Sequence, residues 1–295
     1  MSGVEAESKN LTPAGFFKTA LLLTVLTAVV AFIGYRAGGA PGAAASLFFS
    51  CVINSGLVFF SDKAVLSMHR AMPLSEAAAP EVHAIVKKLS HKARIPTPRI
   101  FFLPSASANL FSVGRDPGRA SIAVTHGIVE LLNQEEIEGV LAHEIAHILK
   151  RETLLAGITA LLAGGLNMIV DLSRWQMFRD GAGREELDST HPVALILASV
   201  FMPCAALLVR LTIPKSREYD ADIIGARLCG NPLYLASALR KIESASFRVP
   251  LRDALPATAH LFFVNPCPGK GWPALFYRHP KVENRMVRLM AMSPA

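Results

Sequence analysis

Four uncharged stretches break the polar pattern of this 295-residue chain. The first runs from Thr19 to Tyr35 and is extended by Phe16 and Phe17, with Lys18 able to reach a membrane surface. The second, Ala37 to Ser61, is long enough to span a bilayer. Only Arg36 and the Gly38-Gly39-Ala40-Pro41-Gly42 turn mark the join, so the pattern predicts a tight N-terminal transmembrane hairpin with spans at about 16–35 and 40–60. A cleaved signal peptide is the other reading of the first stretch. The long span close behind it and the weak charge of the segment before it favour an uncleaved anchor. Thr153 to Val170 and Pro192 to Val209, 18 residues each, lie at the lower limit for spanning. Gly164-Gly165, Asn167 and Pro203 weaken them. They are possible spans of a second hydrophobic hairpin, 153–213; a hairpin packed on the soluble part is the alternative.

Between the second and third stretches the periodicity is mixed. Val82, Ile85, Val86 and Leu89 predict a helix over Pro80 to Ala93. Arg99 to Leu103, Ala108 to Ser112 and Ser121 to Thr125 read as strands, with Arg115-Asp116-Pro117-Gly118 as a turn before the third. A helix starts within Ile128 to Leu132. Another, from Gln134 to about Arg151, is opened by a capping box of Asn133 and Glu136 and buries Ile137, Val140, Leu141 and Ile148. The expected fold class is therefore α+β, mainly helical. An N-terminal membrane hairpin occupies 1–61, and a second domain, 62–295, is interrupted by the hydrophobic hairpin.

Composition supports the membrane assignment. Hydrophobic residues make up 52% and charged residues 18%, and mean hydropathy is +0.37, too apolar for an ordinary soluble enzyme. The four Cys form no CxxC pair, so neither a thiolate zinc site nor a disulfide framework is expected, and buried, inert thiols are the better reading. Net charge is +7. With no basic run longer than two and no aromatic–basic interleaving, nucleic acid is not an expected partner, and an anionic leaflet accounts for the charge. Of the 30 Lys and Arg, all except Arg36, Arg174, Arg179 and Arg184 fall on one side under this topology. Lys63, Arg70, Lys150, Arg151, Arg210 and Lys215 flank the stretches on that side, which is therefore expected to be cytoplasmic.

The chemistry sits in His143-Glu144-Ile145-Ala146-His147. His at i and i+4 converge from one helix face on a metal, and the Glu between them points at its open position, where it can deprotonate a bound water. A catalytic zinc usually has three protein ligands. Glu218, in Ser216-Arg217-Glu218-Tyr219-Asp220-Ala221-Asp222, could close a His₂Glu site, and Asp222, one turn on, could accept a hydrogen bond from a ligand imidazole. A solvated acidic helix start is the competing reading of that segment. Two apolar runs separate Glu218 from the His pair, so both lie on one side whether the runs span or not. His126 lacks a partner at i+4 and reads as a structural or surface residue. Charged residues flank the HExxH helix, which argues against an intramembrane protease. The single His pair argues against a di-iron oxygenase.

The chain resembles the HtpX-type membrane zinc metalloproteases, relatives of the CAAX prenyl proteases, over nearly its full length. The resemblance rests on Phe60-Ser61-Asp62-Lys63, Ala108-Asn109-Leu110-Phe111, Val124 to Leu132, Leu141 to Ile148, Ser216 to Asp222, Asn231-Pro232-Leu233 and His279-Pro280. It implies one zinc ion per chain held by His143, His147 and Glu218, Glu144 as the catalytic carboxylate, and Asp222 in support. Asn109 falls in what resembles a substrate-pairing edge strand, though a turn residue is an equal reading. His279 matches a motif that could bind the substrate carbonyl or its oxyanion. The segment around His279, with Tyr277-Arg278 before and Lys281-Val282 after, departs from the family pattern. The resemblance further implies a multi-pass protein of the bacterial inner membrane with a cytoplasmic catalytic domain. Its polypeptide substrates would be misfolded or damaged membrane proteins. The alternatives are a zinc-containing binding or adaptor protein and a CAAX-type processing protease.

Overall fold

The first two apolar stretches form one long element, α1 (Ala14–Met68), whose two arms meet at Gly38 and Gly39. Gly39 has φ 62° and ψ −147°, a conformation open essentially to glycine alone. The arms fold back on each other: the Asn54 amide donates to Thr27 Oγ1 at 2.9 Å. Pro41 falls in the first turn of the second arm, where its missing N–H costs nothing. Among the described residues, α1 is the one helix long and apolar enough to cross a membrane. Its apolar side chains face outward, Phe17, Phe32, Ile33, Phe48 and Phe49 among them.

This computed structural model describes residues 14–179, 192–251, 255–266 and 279–292. Arg184, Cys267, Tyr277 and Arg278 lie outside them. After α1 come β1 (Met72–Pro73), α2 (Pro80–Ala93), β2 (Arg99–Leu103), β3 (Leu110–Val113), β4 (Ser121–Thr125) and α3 (His126–Leu131). Then follow α4 (Gln134–Leu149), α5 (Thr153–Arg179), α6 (Pro192–Thr212), α7 (Ser216–Cys229), α8 (Pro232–Arg248), a 3₁₀ turn (Pro256–Leu261) and α9 (Val282–Met290). The architecture is mainly helical with one four-stranded sheet of order β1-β2-β4-β3. β2 and β4 are parallel, and the other two pairs are antiparallel. β1 is absent from the sequence expectation because two residues carry no periodicity. The second strand begins at Leu110 rather than Ala108, because the Asn109 N–H bonds the Thr125 side chain, Oγ1, at 2.8 Å instead of a β4 carbonyl and so ends the ladder.

The sheet is covered on both faces. Ile100, Leu110, Ile122 and Val124 pack against α4 and its neighbours α2, α7, α8 and α9. Leu103, Phe111, Val113 and Ala123 pack against the end of α1, α5, α6 and the 3₁₀ turn. The α5–α6 pair therefore enters the domain core at its near end, through Leu155, Ala156, Ala160 and Ala163 on one helix and Ala205, Ala206 and Val209 on the other. Its described apolar segments, Thr153–Leu166 and Met202–Thr212, are shorter than a membrane span. Cys229 is buried, as expected, but Cys51 and Cys204 lie exposed on the outer faces of apolar helices. An apolar run identifies a hydrophobic helix without saying which face it turns to protein.

Beside α5, His260 on the 3₁₀ turn is fully buried, with Nε2 3.1 Å from the Ala156 carbonyl. Burial pushes its pKa down to about 3. An unfolded imidazole titrates near ~6.5, so between these values the unfolded state holds the extra proton. The stability tied to this residue is complete above that range and falls as pH drops. On moving from near neutrality to a pH about 1.5 units below the unfolded pKa, the unfolding free energy in detergent should therefore fall by about 2 kcal/mol more in the wild type than in His260→Gln. Equal losses in the two proteins would contradict this account.

Candidate metal centre

α4 is built to be buried. Its N-terminus is closed by the expected capping box: Asn133 Oδ1 accepts from the Glu136 N–H at 2.8 Å and Glu136 Oε2 from the Asn133 N–H at 3.0 Å. Such a cap is worth about 1 kcal/mol. Glu136 is nonetheless buried, because Ser237 and Lys241 of α8 also donate to it at 2.6 and 2.8 Å. From Gly139 to Ile148 every residue of α4 is buried. Two glycines allow this. A Cβ on Gly139 would lie 2.8 Å from the backbone of Leu235 on α8, and one on Gly225 of α7 would lie 2.9 Å from the backbone of His143.

With α7 this close, Glu218 in its first turn reaches the His pair. The Nε2 atoms of His143 and His147 are 3.1 Å apart. Glu218 sets Oε2 at 3.5 Å from the first and Oε1 at 3.5 Å from the second. Among the described residues these three form a group of the right kinds of ligand atom to hold a metal. The spacing suits a tetrahedral divalent ion. Ligands on a tetrahedral ion at about 2.1 Å lie about 3.4 Å from one another. Two imidazole nitrogens face to face at that distance, with a buried carboxylate opposite, leave an electron-rich space suited to a cation. The donor set, two nitrogens and a carboxylate oxygen, is that of an open catalytic zinc site.

Each imidazole is oriented from behind by a carboxylate. His143 Nδ1 is 3.0 Å from Asp222 Oδ1, and Asp222 is gripped by Arg285 of α9 at 2.8 and 2.7 Å. Arg285, fully buried, also donates to the Phe263 carbonyl at 3.1 Å. His147 Nδ1 is 2.9 Å from Glu152 Oε2. Glu152 follows α4, and the chain turns back through Arg151 at φ 55° so that the Glu152 N–H bonds the His147 carbonyl. Lys150 and Arg217 lie 3.3 and 3.4 Å from Glu152. These carboxylates fix which imidazole nitrogen is free to face the site.

The charges follow. Burial opposes a charged His143, but Asp222 and Glu218 outweigh it and raise its pKa to about 9. Burial, helped by Arg217, lowers His147. Burial alone would raise Glu218; the neighbouring His279, His147 and His143 reverse that and hold it well below the usual carboxylate range. Burial would likewise raise Asp222, and Arg285 outweighs it. His143, His147 and Glu218 would hold a metal ion through two imidazole nitrogens and a carboxylate, and its binding would be coupled to loss of protons from the site.

Glu144 lies beside the pair, 2% exposed, and Ser112 Oγ donates to its Oε2 at 2.6 Å. Ser112 belongs to β3, an edge strand. Asn109 directs its carbonyl to Thr125 on β4, whereas the Leu110 carbonyl accepts from Phe263 on the other side. By antiparallel alternation the backbone groups of Ser112 also face outward. Asn109 itself is fully buried, and its amide binds the Val264 carbonyl at 2.8 Å. The structure thus places Asn109 at the root of the edge, tied within the protein, and Ser112 where the edge meets Glu144. His279 is in the site, with Nδ1 2.8 Å from Glu218 Oε2 and Nε2 3.1 Å from the His260 carbonyl. His126 lies apart on the surface, as expected, but it does have a partner at i+4, Glu130 at 3.0 Å.

Sequence reasoning missed Arg285, Glu152 and Ser112. The first carries a signal: Arg285 falls on the stripe of Val282, Met286 and Leu289 that α9 packs inward, and an Arg on an apolar stripe needs a buried partner.

Comparison with known proteins matches residues 76–293 to Peptidase family M48. The chain is 46% identical over 274 residues to a Protease HtpX homolog of Pyrococcus abyssi, covering 93% of this chain and 94% of that protein. It is 43% identical over 278 residues to a Protease HtpX homolog of Syntrophobacter fumaroxidans, covering 94% and 99%. The crystal structure of S. mikatae Ste24p aligns with TM-score 0.47 and 16% identity, over 95% of this chain and 66% of that one.

Because Glu152 acts on His147 without being one of the three converging groups, Glu152→Gln should weaken metal binding about 10- to 100-fold while leaving the stoichiometry intact. Competition against a chelator measures this, and an unchanged affinity would show that Glu152 has no part in the site.

Proposed function

This chain belongs to peptidase family M48 and is a membrane metalloprotease, and we propose that it cleaves polypeptides at one zinc ion held by His143, His147 and Glu218. The observation that carries the ligand assignment is the 3.1–3.5 Å convergence of those three side chains in a buried site. When bound, the ion supplies Lewis acidity toward water and the scissile carbonyl. Glu144 takes the proton of the attacking water and returns it to the leaving amine. Ser112 holds one oxygen of that carboxylate and leaves the other for the proton. Asp222 and Glu152 keep the imidazoles aimed, and Arg285 keeps Asp222 ionised in the interior.

The outward edge of β3 at Ser112 is the place for an extended substrate to pair backbone to backbone, a mode that asks little of side-chain identity. In this reading Asn109 contributes by fixing the start of that edge, and His279 turns its Nδ1–H from Glu218 to the substrate carbonyl oxygen as charge develops on it, its Nε2–H staying on the His260 carbonyl. The two arms of α1 anchor the chain in the inner membrane, supported by their length and outward-facing apolar side chains, and α5–α6 extends the anchor beside them. The basic flanks support a catalytic domain at the cytoplasmic face. Substrates of such an enzyme are unfolded or damaged membrane proteins presenting cytoplasmic segments.

Glu144→Gln should retain one metal per chain and lower the turnover of a loosely folded substrate by about 10²–10⁴-fold. His143→Ala should lose the metal and the activity together. A fully active Glu144→Gln protein would remove Glu144 from the mechanism, and stoichiometric metal in His143→Ala would remove His143 from the ligand set.

A further inference from the structure

The proposed chemistry leaves the other edge of the sheet unused. There a cleft of about 550 Å³ opens between the last turns of α1, the turn that follows, and β1–β2. Its lining includes Lys63, Leu66, Ser67, Arg70, Met72 and Arg99. We propose that this cleft binds the headgroup phosphate of an anionic phospholipid whose acyl chains lie along the exposed face of α1. The inference rests on the reading that α1 is inserted in a bilayer.

Three cations reach the cleft from three different segments. Lys63 comes from α1, Arg70 from the turn and Arg99 from the first position of β2, and all three are exposed. The turn fixes where Arg70 points: it has φ 51°, held by bonds from its N–H to the Ser67 carbonyl at 3.0 Å and from the Ala71 N–H to the Leu66 carbonyl at 2.9 Å. Asp62 is the acid nearby, 8% exposed and 3.5 Å from Arg99. Its single charge leaves the cleft with a cationic excess. Capping of the α1 carbonyl end accounts for Lys63 and Arg70. It does not account for Arg99, which arrives from another element and lines the same cleft while pairing with Asp62.

The rest of the lining selects the kind of anion. Leu66, Ala71, Met72 and Phe101 are apolar, and Met72 is half exposed. Free phosphate gains nothing from them, whereas a glycerol backbone and the start of an acyl chain do. The cleft also lies where a headgroup would be. Lys63 follows the uncharged stretch by two residues, and Phe59 and Phe60 stand exposed on the helix just before it. Lys63 Nζ is 5.7 Å from the Phe60 ring and the Arg99 guanidinium 5.8 Å from the Phe101 ring, contacts that keep both cations at the apolar boundary. A phosphodiester with one negative charge, a hydroxyl donor at Ser67 and two apolar tails match these features together.

The test uses the full-length protein in vesicles of mixed phosphatidylglycerol and phosphatidylcholine, with retained lipids counted by native mass spectrometry after detergent extraction. The wild type should retain phosphatidylglycerol over phosphatidylcholine on the order of tenfold. The triple variant Lys63→Gln, Arg70→Gln, Arg99→Gln should show no preference. A variant that loses as much charge elsewhere on the exposed surface, Lys87→Gln, Arg119→Gln, Arg240→Gln, should keep it. If the first triple variant does not fold, Lys63→Gln and Arg70→Gln alone should each reduce the preference. A preference that survives in the cleft variants, or that the control variant loses equally, overturns the proposal. So does displacement of the lipid by inorganic phosphate at matched concentration. Alkaline extraction separates the two levels of the inference. Release of the protein from the vesicles would overturn the insertion of α1, whereas retention without lipid preference would overturn the cleft alone.

Discussion

The close approach of α7 to α4 at Gly225 is the contact on which the site depends. Nothing larger than hydrogen fits between Gly225 and the backbone of His143. Glu218, Asp222 and Gly225 fall at i, i+4 and i+7, so one face of α7 carries the packing contact, the carboxylate behind His143 and the carboxylate in front of it. Moving α7 outward by the width of a methyl group would separate all three from α4 at once. The approach also buries charge. Glu218, Asp222 and Arg285 are each 3% exposed or less, an arrangement that destabilises a fold unless every charge has a partner. Asp222 and Arg285 neutralise each other in a two-bond grip. Glu218 faces histidines, and a divalent cation completes that balance.

The sheet joins this site to the apolar part of the chain. Because side chains alternate across a strand, β3 gives Leu110 and Ser112 to the α4 face and Phe111 and Val113 to the face covered by α1, α5 and α6. One four-residue strand thus packs on the hydrophobic helices with one set of side chains and holds Glu144 with the other. His260 extends the same connection by bonding α5 on one side and His279 on the other. The described near ends of α5 and α6 consequently pack in the core beside the strand that holds Glu144.

What was legible in the sequence was local or periodic. The HExxH spacing, the Asn133–Glu136 capping box, the strands Arg99–Leu103 and Ser121–Thr125 and the one-turn spacing of Glu218 and Asp222 each follow from a fixed geometry within one element. What escaped depends on distant segments meeting. Glu152 becomes a partner of His147 only because Arg151 adopts a left-handed conformation, unusual for a residue with a side chain. Ser112 was legible as strand, but its bond to Glu144 depends on which face of β3 looks at α4. Asn109 was assigned to the edge from its motif, while its side chain is committed to Val264, more than 150 positions away. Cys51 and Cys204 fell on outward faces because a uniformly apolar helix gives no hint of its own orientation.

The central claim is that His143, His147 and Glu218 form one open zinc site. Anomalous diffraction at the zinc edge from crystals of the zinc-loaded Glu144→Gln protein tests it most directly. The account predicts a single strong peak between the two imidazole Nε2 atoms and the Glu218 carboxylate, with no cysteine nearby. A peak elsewhere, or an ion bound with Glu218 turned away from it, would contradict the account.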